Sequence, residues 1–96
     1  MISRLRQEKR HKLQLFYEIL CAIEDDMINN KVTRPTHIQH TSRLSYDKMM
    51  NHFLELEQKC MIQRDNTTGL ICITNKGKKF IDQYKELIIL IESAGL

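Results

Sequence analysis

The sequence predicts a mostly helical α+β domain: a helix-turn-helix, then a two-stranded wing, then one further helix. Three stretches carry that prediction. Residues 36–46, Thr-His-Ile-Gln-His-Thr-Ser-Arg-Leu-Ser-Tyr, read as a short helix, a tight turn and the start of a second helix. Residues 61–73 hold two β-prone runs around Asp65-Asn66-Thr67-Thr68-Gly69, a turn-rich pentapeptide, and so read as a hairpin. Residues 75–93 form a helical stretch with more apolar positions than one stripe needs. Together they describe a winged helix, with a three-helix core and a C-terminal dimerisation helix.

The first helix is expected to start between Ser3 and Gln7 and to run to about Asn29. Leu13, Phe16, Ile19, Leu20 and Ile23 recur at the spacing of one apolar face, and Met27 extends it. Asn29-Asn30 can end it, because asparagine tolerates the left-handed conformation of a helix stop. Residues 31–35 form a link with room for a very short strand at Val32. Pro35 forces Arg34 out of helical geometry, so the second helix spans about Thr36–Arg43, anchored by Ile38. Thr36 is placed to cap it, with Gln39 completing a capping box.

The third helix is expected over Ser45–Lys59, capped by Ser45 and favoured by Asp47 in its first turn. Met49, Phe53, Leu56 and Cys60 mark its inward face, and Tyr46, Lys48, Asn51, His52 and Glu55 its outward face. Thr74 then caps the last helix, Asn75 to about Ser93. Lys76, Lys78 and Lys79 crowd its first turn, where cations oppose the dipole; they are either solvated or compensated by a phosphate. Gly77 in the same turn costs about 1 kcal/mol against alanine. Either it is merely tolerated, or the strand ending at Ile73 packs closely against it. Phe80, Ile81, Tyr84 and Leu87–Ile91 exceed one stripe, so a second chain is expected to cover part of them. Ile81, Tyr84, Leu87, Ile88 and Ile91 are the expected homodimer interface.

Composition narrows the functional classes. Ninety-six residues with 42% hydrophobic and 28% charged content suit one domain with one modest core. It divides into a basic arm at residues 1–12, the helix-turn-helix and wing at 13–74, and the dimerisation helix at 75–93. No apolar run exceeds five residues, too short for a signal peptide or a membrane span. Cys21, Cys60 and Cys72 are odd in number and set among apolar residues, which suggests buried thiols in a reducing cytoplasm. The net charge of +3 is unevenly spread. Residues 1–12 carry +4, residues 13–30 carry −4, residues 31–79 carry +5 and residues 80–96 carry −2. Positive charge thus collects on the helix-turn-helix, the wing and the arm, where phosphates would lie.

No catalytic constellation is present. His37 and His40 share a face, but a zinc site needs two or three further ligands and none lies at a matching spacing. Ser45 lacks a histidine with an orienting acid, and no glycine-rich phosphate loop occurs. His11 is isolated, and Asp25-Asp26 read as solvated charges. No metal, cofactor or small-molecule ligand is expected.

Duplex DNA is the expected partner. A helix fits the major groove, where Asn pairs with adenine and Lys or Arg with guanine. Lys48, Asn51 and His52 are the candidate base readers, and Tyr46 can stack on sugar or meet a thymine methyl. Arg43 and Ser45 flank the helix start and suit phosphate, with Arg34, Thr36 and His37 at the start of the preceding helix. Arg64 and the tip Asn66, Thr67 and Thr68 can reach the minor groove or backbone.

The pattern Thr36-x-Ile38, Leu44-Ser45-Tyr46, Ile62 and Ile73-Thr74-x-x-Gly77-x-x-Phe80 resembles archaeal winged-helix proteins that dimerise through an antiparallel coiled coil of C-terminal helices. The resemblance spans roughly residues 13–91. It implies a homodimeric DNA-binding protein with its recognition helix at Ser45–Lys59. Three positions depart from the pattern. Cys60 replaces a helix-ending glycine, His40 replaces a tyrosine, and the last helix stops soon after Ile91. The basic arm precedes the matched region and can either lengthen the first helix or touch DNA. A cytoplasmic, nucleoid-associated regulator or architectural protein is the leading expectation. The alternative is a winged helix that binds other proteins in a transcription or repair assembly. A ligand-sensing regulator is a third, with little room for a pocket outside the dimer interface.

Overall fold

A computed structural model describes residues 11–30 and 32–95. Among these residues, four helices and one antiparallel hairpin follow in the order α1 (Lys12–Asn29), α2 (Pro35–Ser42), α3 (Tyr46–Gln58), β1 (Ile62–Arg64), β2 (Ile71–Ile73) and α4 (Asn75–Ser93). The expected start of the first helix between Ser3 and Gln7 lies outside the described residues. Within them, α1 begins at Lys12, where the His11 ring nitrogen accepts the Leu13 N–H at 3.1 Å. His11 is thus a helix cap rather than an isolated surface residue.

The core forms where α1 meets α2, α4 and β2, and where α3 meets α2 and β1. Leu15, Phe16, Ile19, Leu20 and Ile23 of α1 are buried, while Leu13 is exposed. Leu13 stands one turn before Tyr17 on the flank of the stripe, and Leu15 takes the buried place expected for it. Ile38, Met49, Phe53, Leu56, Ile62, Ile71, Ile73 and Ile81 complete the core. The hairpin register pairs Ile62 with Ile73, so these two isoleucines share the core-facing side. Thr33 exchanges both backbone hydrogen bonds with Ile71 at 2.8 Å, adding a one-residue third strand beside β2. The expected strand at Val32 therefore falls one residue later.

α2 begins differently from expectation. Pro35 occupies its first turn and Arg34 is the N-cap residue, with no side-chain cap. Proline at the first helical position has no N–H to leave unpaired and presets the helical φ, so the helix starts one residue early. Thr36 then lies inside the helix and the capping box does not form. Ser45 does cap α3, accepting the Lys48 N–H at 3.3 Å.

The end of α3 is held by a left-handed residue. Cys60 has φ 63° and lies exposed, not on the inward face. The Met61 N–H reaches the Leu56 carbonyl at 2.9 Å and the Cys60 N–H reaches Glu57 at 3.0 Å. That pair of bonds is a Schellman motif, which normally places glycine where Cys60 stands. Nor are the other thiols fully buried: Cys21 and Cys72 are half-buried.

Thr74 joins this end of α3 to α4. Its hydroxyl donates to the Cys60 carbonyl at 2.7 Å and accepts the Gly77 N–H at 3.1 Å. A Cβ on Gly77 would run into the Met61 carbonyl oxygen and come within 2.7 Å of Ile73 Cγ1. The glycine is therefore required by close backbone approach, of the two readings the sequence allowed.

Two substitutions test this junction by denaturant midpoint at unchanged slope. Cys60→Gly should stabilise by about 1 kcal/mol, since it removes a β-carbon from the left-handed region. Gly77→Ala should destabilise by about 2–3 kcal/mol, as expected for overpacking against a backbone that cannot retreat.

Candidate nucleic-acid interface

The turn between α2 and α3 is tight because Arg43 adopts φ 58°, with its N–H on the Gln39 carbonyl at 3.0 Å. A β-branched residue would resist this conformation; arginine adopts it at a local cost of about 1 kcal/mol or more. Its side chain stays exposed beside Thr36, Gln39, His40 and Leu44, which with it line a shallow recess. Thr36 also borders a second recess with Arg34, His37 and Asp26. Arg34, Thr36, His37 and Arg43 thus form a continuous strip along α2.

His37 is held in place by an acid that reads in sequence as a solvated charge. The Asp26 carboxylate accepts the Thr33 hydroxyl, and its other oxygen lies 3.0 Å from His37 Nδ1. The Thr33 hydroxyl, followed by the His37 ring, holds Asp26 below the ordinary aspartate range. Asp26 therefore links the end of α1 to the first turn of α2. Nothing in the sequence pattern distinguishes it from its neighbour Asp25, because its partners lie seven and eleven residues away.

On α3, Tyr46, Asp47, Lys48, Asn51 and Leu54 are exposed. His52, expected to face outward, is half-buried with its ring edge-on to Phe16 at 5.8 Å. Phe16 lies in the core, so His52 belongs to the contact between α3 and α1 and is removed from the base-reading set. Glu55 pairs with Lys12 at the start of α1, which lowers its pKa and draws its charge to the flank. Leu54 is a residue the outward-face reading missed. Its signal was present in the spacing, since it stands three residues after Asn51.

The wing is less basic than its sequence suggests. Arg64 Nη2 lies 3.3 Å from a Glu57 carboxylate oxygen and its side chain is only 20% exposed. This ion pair ties β1 to α3 and takes Arg64 out of the set of free cations. At the tip, one Asp65 oxygen accepts the Thr67 and Thr68 N–H groups at 2.7 and 2.8 Å, which holds its pKa down. Gly69 closes the turn at φ 73°. Asn66, Thr67 and Thr68 remain exposed.

The last helix separates into an inward and a lateral row. Ile81, expected at a dimer interface, is fully buried in the chain's own core and is unavailable to a partner. Tyr84 stacks on Tyr17 of α1 at 4.6 Å and on Phe80 at 5.9 Å. Leu87 and Ile91 are 47% and 39% exposed, with Ile89 and Leu90 exposed beyond them, while Ile88 is half-buried. Among the described residues, no group of three or more His, Cys, Asp or Glu side chains could hold a metal, and no helix is long and apolar enough to cross a membrane.

The connectivity of three core helices, tight turn and hairpin coincides with a sequence profile described as winged helix-turn-helix, which matches residues 9–92. The chain belongs to that family. No curated protein sequence matches it significantly. In helix-turn-helix proteins that bind DNA, the helix after the tight turn enters the major groove, and α3 occupies that place in this chain. Of the residues the sequence nominated, Arg34, Thr36, His37, Arg43, Ser45, Tyr46, Lys48 and Asn51 gather around that turn and its two helices. His52 and Arg64 are engaged elsewhere.

The Asp26 link gives a pH-dependent expectation. A carboxylate with a lowered folded-state pKa contributes stability in full above the unfolded value, and loses it as the pH falls through the lowered one. Asp26→Ala should therefore melt below the parent protein at pH 7. The gap should close as the pH drops below about 4, the ordinary aspartate value. Melting curves of both proteins across this range check it.

Proposed function

We propose that the protein is a homodimeric DNA-binding transcription regulator that lays α3 in the major groove and rests the wing tip on the adjacent backbone. The observation that carries this reading is the exposed polar face of α3, bordered by Lys48 and by the Arg34–Arg43 strip, in a chain of winged helix-turn-helix family. Arg34, Thr36, His37, Arg43 and Ser45 supply phosphate contacts, and Asn51 and Lys48 reach base edges. Lys76, Lys78 and Lys79 are all exposed and extend the basic surface. Bound to chromosomal DNA, the protein would be a nucleoid component.

Dimerisation is supported by a seam on α4. Phe80, Tyr84, Leu87 and Ile91 recur at four, three and four residues, the spacing of a coiled-coil stripe, on the flank beside the buried Ile81. A two-fold pairing of α4 helices would bury this row and set two copies of α3 for two half-sites. The likeness to the archaeal coiled-coil members, carried by the pattern from Thr36 to Phe80, implies the same pairing. Leu87→Glu with Ile91→Glu should convert the dimer to monomers in light scattering. A monomeric parent protein at micromolar concentration would refute the dimer.

Binding to duplex DNA should fall steeply with salt. With about three to five phosphate contacts per subunit, the log–log slope for a dimer is on the order of −5 to −9. Arg43→Gly separates stability from function at one position. It should raise the melting temperature, because glycine adopts the left-handed turn freely, yet weaken DNA binding and reduce the slope by about one per subunit. Absence of binding at low salt would favour a protein-binding winged helix instead.

A further inference from the structure

The outermost face of α3 is not the basic surface that phosphate binding alone would use. Asp47, Asn51, Leu54 and Gln58 recur at spacings of four, three and four, and all four are exposed. Such a row runs along one side of an α-helix, opposite the buried Met49, Phe53 and Leu56. The cations lie off this row: Arg43 in the preceding turn, and Lys48 and Lys59 on the flank. The row itself offers one carboxylate, two carboxamides and an isobutyl group. A carboxylate repels phosphate, and an isobutyl group gains nothing from it. Leu54 is 46% exposed, and the core behind it is filled by Phe53.

Each of these groups has a counterpart on a base edge. A carboxamide pairs with adenine N6 and N7, a carboxylate accepts from cytosine N4, and an apolar group meets the C5-methyl of thymine. Residues 51 and 54 lie about 4.5 Å apart along the helix axis, at about 1.5 Å per residue. Successive base pairs are about 3.4 Å apart, so the two side chains address the same or neighbouring base pairs.

We propose that Leu54 is a specificity-determining residue that recognises a thymine methyl beside an adenine bound by Asn51, making an A·T step the centre of each half-site. The inference rests on the DNA-binding reading above and deepens it. It also separates a sequence-reading regulator from an architectural protein, whose contacts would be confined to the backbone.

The test uses the full chain and a preferred duplex selected from a random library. Each thymine of the selected half-site is replaced singly by deoxyuridine, which removes only the C5-methyl. At one thymine the parent protein should lose about fourfold in affinity, the transfer cost of one methyl group. Leu54→Ala should bind the thymine and deoxyuridine duplexes equally, while its melting temperature stays that of the parent because the side chain is outside the core. Two results overturn the inference while leaving DNA binding intact. One is tight, salt-dependent binding with no selected consensus. The other is a Leu54→Ala protein as sensitive to deoxyuridine as the parent. Failure to bind any duplex at low salt refutes the DNA-binding reading itself, and the inference with it.

Discussion

The backbone junction at Met61, Thr74 and Gly77 determines how the remaining elements can be arranged. Four chain segments converge there: the end of α3, the start of β1, the end of β2 and the start of α4. The Met61 carbonyl accepts the Thr74 N–H at 3.0 Å, and the Thr74 hydroxyl spans from the Cys60 carbonyl to the Gly77 N–H. A helix N-terminus leaves four N–H groups without partners, and a helix C-terminus leaves four carbonyls. The Thr74 hydroxyl satisfies one such N–H of α4 and at the same time holds the carbonyl of Cys60, in the turn just past α3. Because the contact leaves no room for a β-carbon at Gly77, α4 cannot slide or rotate against the hairpin without losing it. The position of α3 is thereby transmitted to α4. In a dimer built on α4, the separation of the two recognition helices would be set at this point rather than by the wing tip.

Local chemistry was the most legible part of the sequence. Ser45 and Thr74 are caps because a hydroxyl before a helical run has few better uses, and each sits where the chain must change direction. The hairpin was legible for the same reason, with β-prone runs on either side of a glycine-bearing turn. The errors came where two local signals competed or where a distant residue decided. Pro35 and Thr36 both mark a helix start, and proline prevailed because its fixed φ suits the first helical position and it has no N–H to leave unpaired there. Cys60 continued the apolar spacing of α3, but the chain had to reverse there into β1, and the left-handed turn pulled it out of the core. Ile81 and Leu87 look alike in sequence; only the packing of α1 and the hairpin shows that the first is consumed within the chain.

Charged and polar side chains were legible in number but not in allegiance. Arg64 counts as a wing cation until Glu57 is found beside it, and Glu55 counts as a charge on the recognition face until Lys12 takes it to the side. Asp26 is the clearest case. Alone it would be an acid near the proposed DNA-binding surface, unfavourable by simple electrostatics. With the Thr33 hydroxyl and the His37 ring as partners it becomes a tether between α1 and α2, on the strip that also carries Arg34 and Arg43. The electrostatic surface of α3 and its surroundings therefore differs from the sum of its residues. Its centre is polar and apolar rather than basic, and its remaining cations stand at the edges.

Two non-glycine residues in left-handed backbone bracket α3, Arg43 three residues before its start and Cys60 two after its end. Each costs about 1 kcal/mol or more relative to relaxed backbone. The shared reason is geometric, since both connections are short and only a left-handed residue turns the chain sharply enough. The side chains, however, are not equivalent. The Arg43 side chain lies exposed at the mouth of the turn, where its charge favours an approaching phosphate. The exposed Cys60 thiol makes no comparable contact, and the Schellman bonds need only its backbone. Strain at the first turn is thus coupled to a side chain proposed to contact phosphate, whereas strain at the second is purely conformational. The two ends of α3 are held by the same backbone device for different physical reasons.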